Sequence, residues 1–255
     1  MSLVRIAIRR CALEALRGRT LVGTNVLDSE IGALDVNADG ALRTEKDRPF
    51  ITIYTDAAKS SDNDLRSFVV NGETEIIFEA GIATPHVVSD PNTDEAVLVP
   101  GLPATDANFE INLDLTVRQI FDVLSDPLNE WAELFRSFLY SHVQITRART
   151  SGDTDGVRLA AHQVKLLASI ISDPVAGVPL KPQSPMARFL TKCEAEVIPR
   201  EPSFSVTLDL MRAQIAGDGA ARMAAMQRFG LCLAEADAML LTLPDGGADV
   251  SEQSP

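Results

Sequence analysis

The stretch RPFITIYTDAA, residues 48–58, decides how the first half of this chain can fold. After Pro49 come five β-branched or aromatic residues, and this composition predicts a strand over residues 50–54. The polar residues 56–66 then predict a turn. The carboxylate of Asp56 therefore lies at the tip of a predicted strand, where it is either a metal-binding catalytic acid or the solvated end of a core strand.

Further strands are predicted on both sides of this stretch. A short strand around residues 25–28 precedes it, and the apolar segment TEIIFEAGIA (74–83) follows it. Asn71-Gly72 favours a tight turn, so residues 68–83 form either a hairpin or one bent strand. Prolines at positions 85, 91, 100 and 103 predict a loop over residues 85–105.

Helical periodicity is present in the first and central parts of the chain. Apolar residues recur at three- or four-residue spacing over residues 3–17, which predicts a helix. Thr105 or Asp106 can cap a second helix that runs to about residue 125. Pro127 begins a third helix, which includes Trp131.

The last third of the chain changes from strand to helix. Residues 143–149 and 157–171 predict an antiparallel hairpin around SGDTDG (151–156), although a helix fits residues 157–171 nearly as well. Residues 173–185 are rich in proline and predict a linker. Helices are then predicted over residues 186–197, 205–216 and 219–242.

These elements predict an α+β fold with a mixed or antiparallel sheet flanked by helices, and a helical C-terminal extension. We expect one α/β domain over residues 1–180, a helical extension over residues 186–242 and a disordered tail over residues 243–255. The 255 residues are enough for a substantial core, because 45% of them are hydrophobic.

The chain is acidic, with a net charge of −13, and most of this charge lies in its middle. Residues 51–150 hold 6 basic and 16 acidic side chains, a net charge of −10. Phosphate backbones and anionic membranes bind clustered Lys and Arg, so we expect neither specific nucleic-acid binding nor membrane attachment. No apolar run reaches the ~20 residues of a spanning helix, and the charged N-terminal segment does not resemble a signal peptide.

The cysteines and histidines form no metal-binding pattern in the sequence. Cys11, Cys193 and Cys232 are far apart and lack a CxxC pair, which favours a reducing compartment over a disulfide framework. Cys11 and Cys232 have apolar neighbours, so we expect them to be buried. No zinc-ligand spacing links the three histidines, which are His86, His142 and His162.

Asp56 is the candidate for metal-dependent hydrolysis. Ribonuclease H-like nucleases place their first metal-binding aspartate at a strand tip, and two-metal hydrolysis needs further carboxylates beside it. Glu79 and Asp114 are the candidate co-ligands. However, Asp56 is followed by Ala57-Ala58, where those nucleases usually have Gly-Ser, and this departure favours a solvated strand end.

A second candidate is DVNADG, residues 35–40, which fits the first half of an EF-hand calcium loop. Its oxygen ligands would be Asp35, Asn37 and Asp39. The second half does not fit, because Lys46 occupies the bidentate position and Pro49 breaks the outgoing helix. Since Asn and Asp also form plain turns, the sequence assigns no catalytic, cofactor-binding or metal-binding residue.

Five features, in this order, carry a resemblance to a known family. They are RIAIRRCALEALRG (5–18), RPFITIYTD (48–56), TEIIFEAGIA (74–83), the helices over residues 105–139, and a hairpin ending in SDPVAG (172–177). In this order they resemble the tail terminator, or tail completion, proteins of long-tailed bacteriophages. The resemblance covers roughly residues 3–180, whereas residues 186–255 have no counterpart in the smaller members of the family.

This resemblance implies a non-enzymatic virion protein without cofactors, made in the host cytoplasm, in which the strand over residues 50–54 is structural. The implied function is to form a six-fold ring that caps the phage tail tube, ends tube polymerisation and provides the head-joining surface. Its implied partners are further copies of the chain, the tail tube protein and a head–tail connector protein.

Besides a calcium-dependent interaction module that would use Asp35, Asn37 and Asp39, two alternative functions stay open. One is a head–tail connector or other neck protein, and the other is a metal-dependent nuclease that uses Asp56. In the ring, we expect the acidic residues 51–150 to line the channel, where they would repel DNA.

Overall fold

The computed structural model describes residues 2–29, 49–60, 69–81, 84–89, 96–101, 107–154 and 157–217. Within them the chain has an α+β fold, as predicted, with five helices and a five-stranded mixed sheet. The helices are α1 (Leu3–Leu16), α2 (Ala107–Ser125), α3 (Glu130–Ser137), α4 (Pro185–Lys192) and α5 (Phe204–Ala216), and a π-helical turn (Cys193–Val197) follows α4. The strands are β1 (Val26–Asp28), β2 (Phe50–Lys59), β3 (Glu73–Gly81), β4 (Thr84–Ser89), β5 (Ala96–Gly101), β6 (Leu139–Thr154) and β7 (Val157–Ile170).

The central sheet has the strand order β1-β2-β3-β7-β6. β1 runs parallel to β2, and all other neighbouring strands are antiparallel. β4 and β5 pair with each other in a separate two-stranded sheet. Among the described strands, β1 and β6 are therefore the two edges of the central sheet.

Helices α1, α2 and α3 pack against one another and against one face of the central sheet, which we call the helix face. Alternate strand residues point to the same face, and those on the helix face form a buried apolar layer. They include Ile51, Ile53, Ile76, Phe78, Val164 and Leu166. The remaining strand residues point to the opposite face of the sheet.

Helix α1 matches the helix predicted over residues 3–17. Ser2 Oγ accepts a hydrogen bond from the N–H of Arg5 at its start (3.4 Å). Gly18, with φ of 71°, follows its last turn and changes the chain direction. Cys11 is fully buried within it, as predicted, whereas Cys232 lies outside the described residues.

The strand that contains Asp56 is longer than predicted. β2 continues to Lys59, so the prediction of a turn from residue 56 is wrong over residues 56–59. The pairing with β3 shifts register between Thr55 and Ala58, and a bulge of this kind lets a strand continue while its side chains turn towards solvent. Residues 56–59 are all exposed, so they carry no buried apolar pattern that would predict a strand from the sequence.

The prediction of a loop over residues 85–105 is also wrong in part, because β4 and β5 lie within it. Pro85 and Pro100 face each other in this ladder. Proline is compatible with an edge strand, where its missing N–H need not face a partner, and both strands of a two-stranded sheet are edges. Prolines that indicate a loop in the sequence therefore do not prevent strand pairing here.

Two alternatives left open by the sequence are resolved. Residues 69–72 belong to no strand, so within the described residues 69–81 Asn71-Gly72 does not close a hairpin. Instead, the side chain of Asn71 donates to the main-chain oxygen of Ile171 (2.7 Å). The segment predicted over residues 157–171 is a strand and not a helix, since β7 (Val157–Ile170) pairs with β6 over its whole length.

The chain divides into two compact units. The first comprises Met1–Asp173 and Gln183–Phe189, and the second comprises Pro174–Pro182 and Leu190–Pro255. α5 lies in the second unit and is followed by Gly217, whose φ of 67° ends the helix. The helix predicted over residues 219–242 and the tail over 243–255 lie outside the described residues. Among the helices that are described, none is long and apolar enough to cross a membrane.

Candidate functional site

The three carboxylates considered for a nuclease do not converge. Asp56 is exposed on β2, at the irregular part of its pairing with β3. Glu79 contacts Tyr54 on the opposite face, whereas Asp114 contacts His162 on the helix face. The sheet therefore separates the two candidate co-ligands, although two-metal hydrolysis requires carboxylates at one point.

The opposite face carries a half-buried polar network between β2, β3 and β7. Tyr54 Oη accepts a hydrogen bond from Gln163 Nε2 (3.0 Å) and lies 3.5 Å from Glu79 Oε2. Burial raises the pKa of Glu79 above its ordinary value, and burial together with the Glu79 carboxylate raises the pKa of Tyr54. Lys165 and Glu75 form an ion pair at 2.8 Å on the neighbouring strand positions. These contacts fix the register of three strands.

A second polar cluster lies on the helix face, where α2 approaches β6 and β7. His162 Nε2 is 3.0 Å from Glu110 Oε2, and His162 Nδ1 is 3.3 Å from Asp114 Oδ1. Arg149 of β6 approaches the other oxygen of Glu110 at 2.5 Å. A neutral imidazole has one N–H, so only the imidazolium form can donate to both carboxylates. The cluster joins one helix to two strands.

A cavity of about 180 Å³ lies beside this cluster, between α2, β6 and β7. Val117 and Val164 form part of its apolar lining, and Arg147 forms part of its polar lining. The guanidinium of Arg147 lies 4.9 Å from the centre of the Phe121 ring, a cation–π contact. Together with the ion pair of Arg149, this contact attaches the edge strand β6 to helix α2.

Asp173, which is distant from α1 in the sequence, binds the N-terminus of this helix. Its carboxylate accepts hydrogen bonds from Ser2 Oγ (2.7 Å) and from the N–H groups of Val4 (3.0 Å) and Leu3 (3.3 Å). These main-chain groups have no partner within the helix, and the positive end of the helix dipole favours a carboxylate there. One side chain therefore joins two segments about 170 residues apart.

Asn129 makes the corresponding connection at the other end of α1. It is buried, and its Oδ1 accepts hydrogen bonds from the N–H groups of Trp131 (3.2 Å) and Ala132 (3.3 Å), which caps α3. Its Nδ2 donates to the main-chain oxygen of Ala15 in the last turn of α1 (3.1 Å). The start of α3 is thereby fixed against the end of α1.

The edge strand β6 is exposed along the part whose side chains are described. Every residue from Tyr140 to Arg149 is exposed. Three of them are large hydrophobic residues, namely Tyr140 (75% exposed), Val143 (49%) and Ile145 (39%). Within the described residues, β6 pairs with β7 and no strand pairs with its outer edge. An exposed edge of this length is a surface on which another strand can be added.

The other candidate residues do not form a site in the described part of the chain. Asp35, Asn37 and Asp39 lie outside the described residues, so the calcium hypothesis stays a prediction. His142 lies on exposed β6, on a strand neighbouring that of His162. No group of three or more His, Cys, Asp or Glu side chains is arranged to hold a metal ion within the residues described.

Sequence reasoning missed Asp173, Asn129 and the partners of His162. A partial signal exists for Asn129, because Asn immediately before a helix is a common cap. Asp173 gives no such local signal, since the helix that it caps begins at the other end of the domain. The partners of His162 become visible only when α2 is placed against β7.

Comparison with protein-family models gave no match, and comparison with curated protein sequences gave no significant similarity.

Proposed function

We propose that this chain is a structural virion protein of the tail terminator type. It assembles as a ring on the end of the phage tail tube, stops polymerisation of the tube and provides the surface that joins the head. The observation that carries the proposal is that the segments that resemble this family, up to Asp173, lie in the first compact unit and contact one another there.

These segments are distant in sequence and adjacent in the fold. RIAIRRCALEALRG (5–18) supplies most of α1, RPFITIYTD (48–56) supplies most of β2, and TEIIFEAGIA (74–83) supplies most of β3, which is the neighbour of β2. SDPVAG (172–177) contains Asp173, whose carboxylate binds the N-terminus of α1. The contact between Asp173 and α1 joins the last of these segments to the first. This contact supports the family resemblance more strongly than the separate segments do.

The position of Asp56 supports a structural role for the strand. Its main-chain oxygen accepts a hydrogen bond from Arg5 of α1, and its neighbours Ala57 and Ala58 continue the strand. Its two candidate co-ligands lie on different faces of the sheet. A solvated strand that bonds to the helix layer explains these features without a metal.

The acidic charge fits a ring around a DNA channel. Residues 51–150 have a net charge of −10, and carboxylates that line a channel repel the phosphates of passing DNA. The ring is expected to form by head-to-tail contacts between identical subunits, since repeated heterologous contacts close into a ring when the rotation allows it. The proposed partners are further copies of the chain, the tail tube protein and a head–tail connector protein.

The proposal is tested by negative-stain electron microscopy of the purified full chain, alone and mixed with tail tubes assembled from the tube protein of the same genome. We expect rings in solution or caps on tube ends, and tubes that no longer elongate after the chain is added. Binding to portal or connector complexes without any effect on tubes would instead indicate a neck protein. Magnesium-dependent DNA cleavage that is lost in Asp56→Asn would indicate the nuclease.

A further inference from the structure

We propose that the outer edge of β6 accepts an extended segment from a second copy of this chain, which continues the central sheet across the subunit boundary. The choice of a second copy rests on the proposed ring. The edge itself, its exposed side chains and its charge are independent of that proposal.

The pairing pattern identifies which main-chain groups of β6 face outward. The N–H of Ile170 bonds on the β3 side of β7, so alternate amides of β7 face β3 and the others, including that of Lys165, face β6. Lys165 pairs with Thr146, which places the N–H of Thr146 towards β7. The amides of its neighbours Ile145 and Arg147 therefore point to the outer edge.

The side chains around this edge favour association. Tyr140 and Val143 lie at the two register irregularities of β6, where a strand carries an extra residue, and both are exposed. Ile145 is the second residue of the regular ladder, which begins at Gln144, and it is also exposed. Natural edge strands are usually short, bulged or charged to prevent pairing. Here the bulges end before Ile145, and the regular part of the edge continues to Thr154.

Charge complementarity favours a second copy as the occupant. The hairpin over residues 139–171 contains four Lys or Arg and two Asp, a net charge of +2. The remaining 19 basic and 34 acidic residues give the rest of the chain a net charge of −15. The hairpin is thus a basic segment of a strongly acidic chain. Arg149 and Lys165 already pair with Glu110 and Glu75 of the same chain, so it is the net positive charge of the hairpin that favours an acidic segment of a neighbouring copy.

The two edges of the central sheet differ in length, and a head-to-tail contact joins two different surfaces of neighbouring subunits. β1 has three residues and β6 has 16, so β1 offers a short ladder and β6 a long one. A contact in which β6 of one subunit receives a different surface of the next is heterologous. Such a contact repeats around a ring without leaving β6 unpaired.

The test compares Ile145→Pro with Ile145→Ala in the full chain. Both variants lose the isoleucine side chain, but only proline also removes the outward N–H. Thr146→Pro is the folding control, because it removes an N–H that faces β7 and should unfold the hairpin. We expect Ile145→Pro to keep the far-ultraviolet circular dichroism spectrum of Ile145→Ala and to raise the concentration needed for half-maximal assembly by about tenfold or more.

Hydrogen exchange of the unmodified chain gives a second readout that does not depend on a variant folding. In the monomer, the amides of Thr146 and Ala148 are protected by β7, while those of Ile145 and Arg147 exchange quickly. Assembly should slow the second pair. Equal assembly of Ile145→Pro and Ile145→Ala, or unchanged exchange at Ile145 on assembly, would overturn the inference.

The outcomes also separate this inference from the proposed function. If the unmodified chain caps tubes and Ile145→Pro does so equally well, the ring function stands and the edge contact is wrong. If the chain self-associates through β6 but ignores tubes, the edge contact stands and the tail terminator function is wrong. A chain that stays monomeric with and without tubes overturns both.

Discussion

The two faces of the central sheet are held by different kinds of contact. On the helix face, a buried layer of isoleucine, valine, leucine and phenylalanine supports α1, α2 and α3, and single polar side chains fix the helix ends. On the opposite face, half-buried polar side chains of neighbouring strands bond to one another, as in the Tyr54–Gln163 pair. The contacts of the helix face join distant segments, whereas those of the opposite face reinforce strands that are already paired.

This difference between the two faces predicts which substitutions lower the free energy of unfolding most. Removing a polar group that is buried and joins two helices leaves several main-chain groups without partners, which costs more than removing one member of a half-exposed network. Variants at helix ends should therefore destabilise the first unit most, and variants on the opposite face should change mainly its pH dependence.

The largest effect is expected for Asn129→Ala. The substitution removes two hydrogen bonds at the start of α3 and one at the end of α1, all in a buried position, and should lower the free energy of unfolding by about 3 kcal/mol. Asn129→Asp keeps the acceptor for α3 but loses the donor to Ala15, so its loss should be smaller. Urea denaturation followed by circular dichroism measures both. Equal losses in the two variants would show that the cap bonds to Trp131 and Ala132 contribute nothing, because Asn129→Asp keeps them and loses only the bond to Ala15.

Asp173→Ala is expected to rank second, with a loss of about 2 kcal/mol. It leaves the first N–H groups of α1 without the carboxylate that binds them. Asp122→Ala is the matched control, since it removes an equal charge from an exposed ion pair on α2 and should cost less than about 0.5 kcal/mol. Hydrogen exchange of residues 3–8 is the local readout. Asp122→Ala should leave this exchange unchanged. If Asp173→Ala also leaves it unchanged, the carboxylate of Asp173 does not hold the helix.

These two residues also show how far the sequence predicts this molecule. Helices α1 and α2 and strand β3 follow from local periodicity and composition, because each buries a regular set of apolar residues. Strands β1, β6 and β7 overlap predicted strands, but β1 is short, the part of β6 from Tyr140 to Arg149 is exposed, and a helix fits the sequence of β7 nearly as well. The part of β2 after Thr55 and the β4–β5 hairpin were missed, since exposed polar residues and prolines are typical of turns. Asp173 was missed for another reason: its partners lie about 170 residues away, and no local pattern contains them.

A third effect, of about 1 kcal/mol, is expected for His162→Ala. The variant removes the imidazole of β7 that contacts Glu110 and Asp114 of α2, whereas the ion pair between Arg149 and Glu110 remains. His142→Ala, on the exposed edge strand, is the control and should leave the unfolding midpoint of the monomer unchanged. A loss in His162→Ala no larger than that in His142→Ala would mean that the contacts of His162 with Glu110 and Asp114 contribute nothing to holding α2 on the sheet.

Glu79→Gln should have the smallest effect, and it should appear as a change in pH dependence. Burial raises the pKa of Glu79 in the folded chain, so the folded state holds this proton more tightly than the unfolded state does. The stabilisation from protonation is therefore present below the unfolded pKa and is lost as pH rises through the folded pKa. Glutamine cannot ionise and can still accept a hydrogen bond from Tyr54, so the variant should not show this loss.

The measurement is the urea midpoint of the unmodified chain and of Glu79→Gln between about pH 4 and pH 7. Glu73→Gln is the matched control, because Glu73 lies on the same strand and is exposed, and it should follow the unmodified chain. Two parallel curves for the unmodified chain and Glu79→Gln would mean that water reaches the carboxylate freely. The polar side chains of the opposite face would then be solvated and would not stabilise the sheet. The two faces would differ only in how deeply their side chains are buried.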